Sequence, residues 1–379
     1  MTRRRGNGEG SIYRRAGRKG WYAAITWNGR RKTLRGETRI EVARLLESAL
    51  MARSHGELVT TPTQTMRVFL AEWLEHSVRP SVRPRTYISY EGVVRLHIVP
   101  ILGRLKLEQL APLHVQQLMN EKLANGLSPR TVAYIRQVLR TALNQAIRWG
   151  LVARNAAQLA DAPRVESREI QPLTPSEARA FLAAASEDRL KALYSVALAV
   201  GLRQGEALGL RWGDIDLEEG VIRVRQQLQR LDGGLRLVPL KTARSRRSVA
   251  LPPSTVAELH AHRQRQMLER LKAGPAWAGS EPNADEAFVF TTTHGTPLDA
   301  HNVVRAYKAV LARAGIAPRR FHDLRHSCAT LLLVQGTPMR VVMDLLGHSQ
   351  IALTANTYSH VLPELQREAA SRMEAFLQG

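Results

Sequence analysis

The alternation of apolar and polar residues is the first readable signal in this chain. Trp21, Ala23, Ile25 and Trp27 fall on one face of an extended segment, because side chains on a strand change sides at every residue. Asn28-Gly29 follows directly. This dipeptide favours two-residue hairpin turns, so the spacing predicts a second strand running back. SIYRR upstream supplies a third strand candidate. Thr38 with Glu41 forms a capping box that opens a helix over about 39–54. Residues 1–56 are therefore expected to form a small three-stranded sheet backed by one helix.

The apolar period then lengthens from two to 3.6. MRVFLAEWLEH is amphipathic, and SVRPSVRPRT separates it from the next helix. Ser128 and Pro129 suit the N-cap and N1 positions of a long helix. Val132, Ile135, Val138, Leu139, Ala142, Leu143, Ala146 and Ile147 line one face of it, and Gly150 is a suitable end. These elements predict a helical bundle, a domain at 65–160. The polar stretches ELVTTPTQT (57–65) and APRVESREIQP (162–172) read as linkers. The third and largest region, 172–379, opens with a capping box at Thr174–Glu177. Its apolar helix Ala192–Val200 precedes strand candidates at Gly220–Val224, Leu235–Leu240 and Ser248–Leu251. Asp232-Gly233-Gly234 and a basic turn, Lys241–Arg247, join them, and helices fill the rest. The expected class is multidomain and mainly α: a small β-sheet plus helix module, a helical bundle, and a mixed α/β, mostly α, third domain. There is no internal repeat and no low-complexity run.

Charge narrows the partner. Lys and Arg number 55 against 33 Asp and Glu, a formal net charge of +22. Such a balance calls for a polyanion, and nucleic acid leads because its phosphates release counterions when neutralised. Aromatic residues are only 5%, which disfavours a binder that stacks single-stranded bases and favours duplex DNA. Eleven basic residues and one acid crowd into residues 1–36. Arg14, Arg15, Arg18, Lys19, Arg30, Arg31 and Lys32 are the DNA-binding candidates there, on a sheet that could lie in a major groove. A basic disordered tail is the alternative. The basic residues of the bundle fit a DNA-facing surface or a solvated face equally well. No apolar run approaches the roughly 20 residues that span a bilayer, and the N-terminus lacks the apolar core of a signal peptide. A soluble, cytoplasmic protein is expected. The single cysteine, Cys328, excludes an internal disulfide and a cysteine zinc cluster, and is expected to be a small buried residue.

Four clusters in the third region could carry chemistry. GLRQGE presents Arg203 at a helix junction, where it could point into a cleft or simply pair with Glu206 three residues on. KTARSRRSVAL presents Lys241 with Arg244, Arg246 and Arg247 on a basic turn, either DNA-binding or merely solvated. FHDLRHS sets His322 and Arg325 on one side of a helix. His322 and His326 have the spacing of a zinc helix, but Asp323 stands where a metalloprotease needs Glu, and no third ligand is in view. LGHSQIALTANTYSH holds His348 and Tyr358, each by itself most simply a packing residue. Taken together, two arginines, two histidines, a lysine and a tyrosine suit attack on a phosphodiester without metal. Guanidiniums hold the non-bridging oxygens, a hydroxyl attacks phosphorus, and a base takes its proton.

GLRQGE, Lys241 in KTARSRR, His322-Asp323-Leu324-Arg325, Leu346-Gly347-His348 and TANTYSH around Tyr358 resemble, in order, the boxes of the tyrosine recombinases, the lambda-integrase family. The resemblance implies a catalytic domain at 172–379 in which Tyr358 attacks the scissile phosphate, forming a 3′-phosphotyrosyl link and freeing a 5′-hydroxyl. It implies that Arg203 and Arg325 hold the phosphate with help from His348, that His322 accepts the proton, and that Lys241 is the general acid. Bond energy stays in the protein–DNA link, so neither ATP nor metal nor another cofactor is implied. Residues 65–160 resemble the SAM-like core-binding domain, and 1–56 the arm-binding domain of phage and conjugative-element integrases. The partners implied are duplex DNA at core-type and arm-type attachment sites, a homo-tetramer passing through a Holliday junction, and, as further factors, a directionality factor and a DNA-bending protein. The amphipathic tail REAASRMEAFLQG would dock on a neighbouring subunit or on its own core. A dimer-resolving recombinase, a type IB topoisomerase and a non-catalytic DNA-binding regulator are the competing functions.

Overall fold

The structure, a computed structural model, describes residues 10–15, 19–27, 30–54, 64–166, 170–240, 242, 245–278, 284–347, 370–371 and 373–378. It divides into two compact units between Ser167 and Arg168, within the polar stretch read as a linker.

In the first unit, β1 (Ser11–Tyr13), β2 (Trp21–Trp27) and β3 (Arg30–Gly36) form an antiparallel sheet in that order. Trp27 pairs with Arg30, while the Asn28-Gly29 turn between them lies outside the described residues. α1 (Arg39–Ser54) starts where the sequence marks it: Thr38 Oγ1 accepts from the Glu41 N–H at 3.2 Å. The inward face of β2 meets the helix through Ala23 and Ile25 against Val42 and Leu46, all fully buried, with Trp21 packed beside them.

The rest of this unit is helical. α2 (Met66–Trp73) runs on through a π-helical turn at Leu74–Val78. α3 (Pro84–Val93) does the same at Val94–Ile98, leading into α4 (Val99–Leu102). α5 (Pro112–Ala124), α6 (Pro129–Arg148) and the short α7 (Ala156–Leu159) complete it. Ser128 accepts the Thr131 N–H at 3.2 Å with Pro129 at the first turn, so α6 begins by capping rather than by packing. Seven of the eight predicted apolar positions of α6 are buried among Phe69, Trp73, Ile98 and Leu118. The eighth, Ile147, is 38% exposed because it falls at the edge of that face.

The second unit opens with α8 (Pro175–Ala184), whose capping box is closed by Glu177 accepting from the Thr174 N–H at 2.9 Å. α9 (Lys191–Val200) and α10 (Gln204–Leu208) follow. Then come β4 (Ile215–Asp216), β5 (Val221–Val224), β6 (Gln226–Leu231), β7 (Gly234–Pro239) and β8 (Arg247–Ala250). α11 (Pro253–Ala273), α12 (Ala300–Arg313), α13 (Asp323–Val334) and α14 (Met339–Leu346) follow. The strands make two sheets, β4-β5-β8 and the β6-β7 hairpin. β6 is absent from the sequence-based expectation: QQLQRL is mostly polar, and only Leu228 and Leu231 are buried. The hairpin closes through Asp232 (φ 49°) and Gly233 (φ 80°), the pair of positive φ values that a tight two-residue turn demands.

Phe181, Tyr194, Tyr307 and Phe321 knit α8, α9 and α12 to the start of α13, with neighbouring ring centroids 5.4–5.5 Å apart. Burying each such ring stabilises the fold by roughly 1.5–3 kcal/mol. Cys328 is buried on α13, as expected of it. At 370–378 the described residues are helical and exposed, including the apolar Met373, Phe376 and Leu377. Among the described residues no helix is long and apolar enough to cross a membrane.

Candidate active site

α9 ends at Gly201, whose φ of +62° turns the chain sharply into Leu202-Arg203. A Cβ at this position would lie 2.6 Å from Leu346 Cδ2 and 3.3 Å from Cys328 Sγ. The glycine is thus required both for its backbone conformation and for the close approach of α13 and α14. Gly201→Ala is expected to lower stability by about 2–4 kcal/mol, from left-handed strain plus overpacking. A urea titration of the two proteins checks it, and equal midpoints would contradict it.

Arg203 directly precedes α10. Its Nη1 donates to Glu206 Oε1 at 2.7 Å, and its own N–H donates to Oε2 at 3.1 Å. The simple pairing anticipated from the i, i+3 spacing is therefore present. It does not exhaust the arginine, whose side chain is still 37% exposed. Glu206 itself is 2% exposed and also accepts from Arg247 Nη2 at 2.9 Å. Burial opposes its ionisation, but Arg247 and then Arg203 outweigh that and hold its carboxyl below the usual range. The result is a fixed cation, Arg203, at the surface, anchored from below by a buried anion.

Arg325 on α13 is 1% exposed. Its Nη1 donates to Gly201 O at 2.7 Å and its Nη2 to Leu346 O at 2.6 Å, tying the Arg203 loop to the end of α14. His322, just before α13, reaches solvent and lies edge-on to His326, with ring centroids 4.9 Å apart. Desolvation, then the charges of His326, Arg325 and Arg203, push its imidazole down to about 4. His322 is therefore neutral near pH 7 and able to accept a proton. The Arg325–Gly201 bond brings α13 against the loop that carries Arg203, and His322 lies within electrostatic reach of both arginines. Asp323 accepts from the Arg320 N–H and guanidinium, each at 2.8 Å, so this carboxylate fixes the start of α13. Among the described residues no group of three or more His, Cys, Asp or Glu is arranged to hold a metal ion.

α14 stops at Gly347, φ +67°. His348 and Tyr358 lie beyond it, outside the described residues, as do Lys241, Arg244 and Arg18. Arg246 is exposed on its turn. Arg247, expected beside it as a DNA-binding residue, is different. Its side chain is 7% exposed, and the guanidinium donates to Leu345 O at 2.6 Å, Ser245 O at 3.1 Å and Glu206. The buried carboxylate draws it inward, so it is part of the framework beneath the site. In the first unit Arg14 stacks 4.6 Å over the Trp21 ring and Arg15 lies 5.4 Å over Tyr22, while Lys19 is exposed. Arg30, Arg31 and Lys32 belong to β3, and their side chains fall outside the described set.

Residues 171–364 match the model of the phage integrase family, and residues 65–123 match that of the N-terminal SAM-like domain of phage integrases. A tyrosine recombinase XerC-like protein of Caldanaerobacter subterraneus is 34% identical over 90% of this chain and 91% of its own. The chain belongs to the phage integrase family. It is a tyrosine recombinase, an enzyme of site-specific recombination that cuts and rejoins DNA. An integrase of Streptomyces ambofaciens is 30% identical over 100% of this chain and 99% of its own. The fold is shared with a Tn1549 transposon integrase solved in complex with transposon right end DNA (TM-score 0.68, 23% identity, 82% of this chain and 100% of that one). It is shared also with a lambda integrase tetramer bound to a Holliday junction (TM-score 0.57, 19% identity, 93% of this chain and 96% of that one).

Proposed function

We propose that this recombinase integrates and excises a mobile element in the cytoplasm of a bacterial host, with Tyr358 as nucleophile. The observation that carries this is that Arg325 ties the Arg203 loop to the end of α14, from which the chain continues into LGHSQIALTANTYSH, with His322 just before α13. Arg203, exposed and held by Glu206, meets the scissile phosphate. Arg325 adds its charge from beneath, and His348 adds a donor. Neutral His322 takes the tyrosine proton as oxygen attacks phosphorus, the 3′-phosphotyrosyl bond forms, and Lys241 protonates the departing 5′-oxygen. Attack by a partner strand's 5′-hydroxyl reverses the sequence of steps. Four subunits, two cutting at a time, carry the exchange through a Holliday junction.

Residues 65–160 and the catalytic domain at 172–379 both grip core-type DNA, and residues 1–56 hold arm-type DNA. The sheet module supports a two-site integrase over a dimer resolvase, which works at one kind of site. A directionality factor and a DNA-bending protein complete this assembly. The test is a two-plasmid recombination assay with the full chain carrying Arg14→Ala, Arg15→Ala and Lys19→Ala. Recombination between plasmids is expected to fall at least about tenfold while cleavage of an isolated core site persists. The salt dependence of arm-DNA binding should drop by a slope of about 3. Undiminished recombination would favour the resolvase.

A further inference from the structure

Two arginines from different elements meet the end of one helix. The last carbonyls of any α-helix lack intrahelical partners, and that end carries partial negative charge. At α14 these carbonyls are taken in succession: Arg247 Nε donates to Leu345 O at 2.6 Å and Arg325 Nη2 to Leu346 O at 2.6 Å. Gly347 lies against the same guanidinium, since a Cβ there would come within 3.2 Å of Arg247 Nη1. Nη2 of Arg247 binds Glu206, which in turn holds Arg203. One planar group therefore touches the carboxylate that fixes the phosphate-facing arginine and the helix end from which the catalytic segment departs.

We infer that Arg247 is a positioning residue: it sets the end of α14, and with it the departure of the segment carrying His348 and Tyr358, relative to Arg203. The inference rests on Tyr358 being the nucleophile. Its physical basis is the fork of the guanidinium, whose donors are fixed relative to one another in one plane. The Glu206 carboxylate and the Leu345 carbonyl are held at a set separation by that one rigid plane. A lysine supplies the charge without the plane. Arg247 touches neither DNA nor the reacting atoms and acts only through Glu206 and the helix end.

The test compares full-length wild type with Arg247→Met, Arg247→Lys and Tyr358→Phe. For each, the thermal midpoint, the affinity for core-site duplex and the rate of covalent adduct formation on a nicked suicide substrate at saturating DNA are measured. Arg247→Met is expected to bind core DNA within about threefold of wild type and to form adduct on the order of 100-fold more slowly. Hydrogen exchange should rise in the peptide spanning 344–350 and not in α6 or α12. If Arg247→Met does not fold, Arg247→Lys, with its charge and most of its stem, decides by the same split between binding and rate. Wild-type adduct rates in a folded variant overturn the inference. So does a loss of DNA affinity that accounts for the loss of rate, since that would make Arg247 a DNA contact. Failure of the underlying assignment looks different: wild type forms no adduct, or Tyr358→Phe forms it as well, whatever Arg247 does.

Discussion

Tyr358→Phe is expected to abolish the covalent protein–DNA complex while leaving DNA binding intact. The substitution removes one oxygen, the atom that would bond to phosphorus, and no other side chain is proposed to replace it. Single-turnover adduct formation should fall by at least about 10⁴-fold, the scale seen when a nucleophile is deleted from a preorganised site. Core-site affinity should stay within about twofold, because the cations that neutralise phosphates and dominate affinity are unchanged. Gel separation of ³²P-labelled suicide substrate after protein denaturation reads the first quantity, and a binding titration reads the second. Adduct of normal yield from the phenylalanine variant would move the nucleophile elsewhere and sink the proposed mechanism. In wild type, adduct formation should not collapse as pH falls from 7 to 5.5, because burial and the neighbouring His326, Arg325 and Arg203 hold the His322 imidazole below its ordinary range.

Glu206→Ala should have the largest effect on stability. It strips the counter-ion from Arg247, a guanidinium only 7% exposed, and releases Arg203 as well. Removing one partner of a buried ion pair typically costs about 3–5 kcal/mol, because the survivor is left charged and desolvated. For a unit of this size that corresponds to a melting point lower by on the order of 10 °C. The sign with pH follows from the lowered carboxyl pKa of Glu206. Above the ordinary carboxylate range the folded and unfolded states both hold Glu206 ionised, and the stabilisation is fully present. As pH falls through the range and below it, the unfolded chain takes up the proton first and that stabilisation is lost. Calorimetry of wild type and Glu206→Ala at pH 7 and pH 3.5 should show the gap between them narrowing in acid. A constant gap would mean that charge contributes nothing at this site.

Much of the fold was legible because its signals are local. The capping residues Thr38, Ser128 and Thr174 stand at the helix starts they mark, and the 3.6 period of α6 matches its buried face. β6 was not legible, since a hairpin strand with two buried leucines among polar residues has no clear period. In the site, Arg203 and the His322–Arg325 pair could be singled out because each sits in a short, recognisable box. The second bond of Glu206 could not, because it joins residues 41 positions apart. Arg247 is the instructive case. Grouped with Arg244 and Arg246 by composition, it reads as one more DNA-binding cation of a basic turn. Strand parity pointed the other way: Val249 faces inward on β8, and Arg247 shares its side. Charge suggested a surface and alternation suggested the interior, and alternation was the sounder guide.

β8 pairs with β5 so that Arg247 stands opposite Val224. A one-residue slip on this ladder would exchange inward for outward along the whole strand. Insertions and deletions should therefore meet a sharp boundary. Length changes confined to 242–245 leave the ladder untouched, whereas the same change between 248 and 250 breaks the match between Arg247 and the inward residues beyond it. Natural or engineered diversity in loop length can accumulate on one side of a single residue and is forbidden on the other.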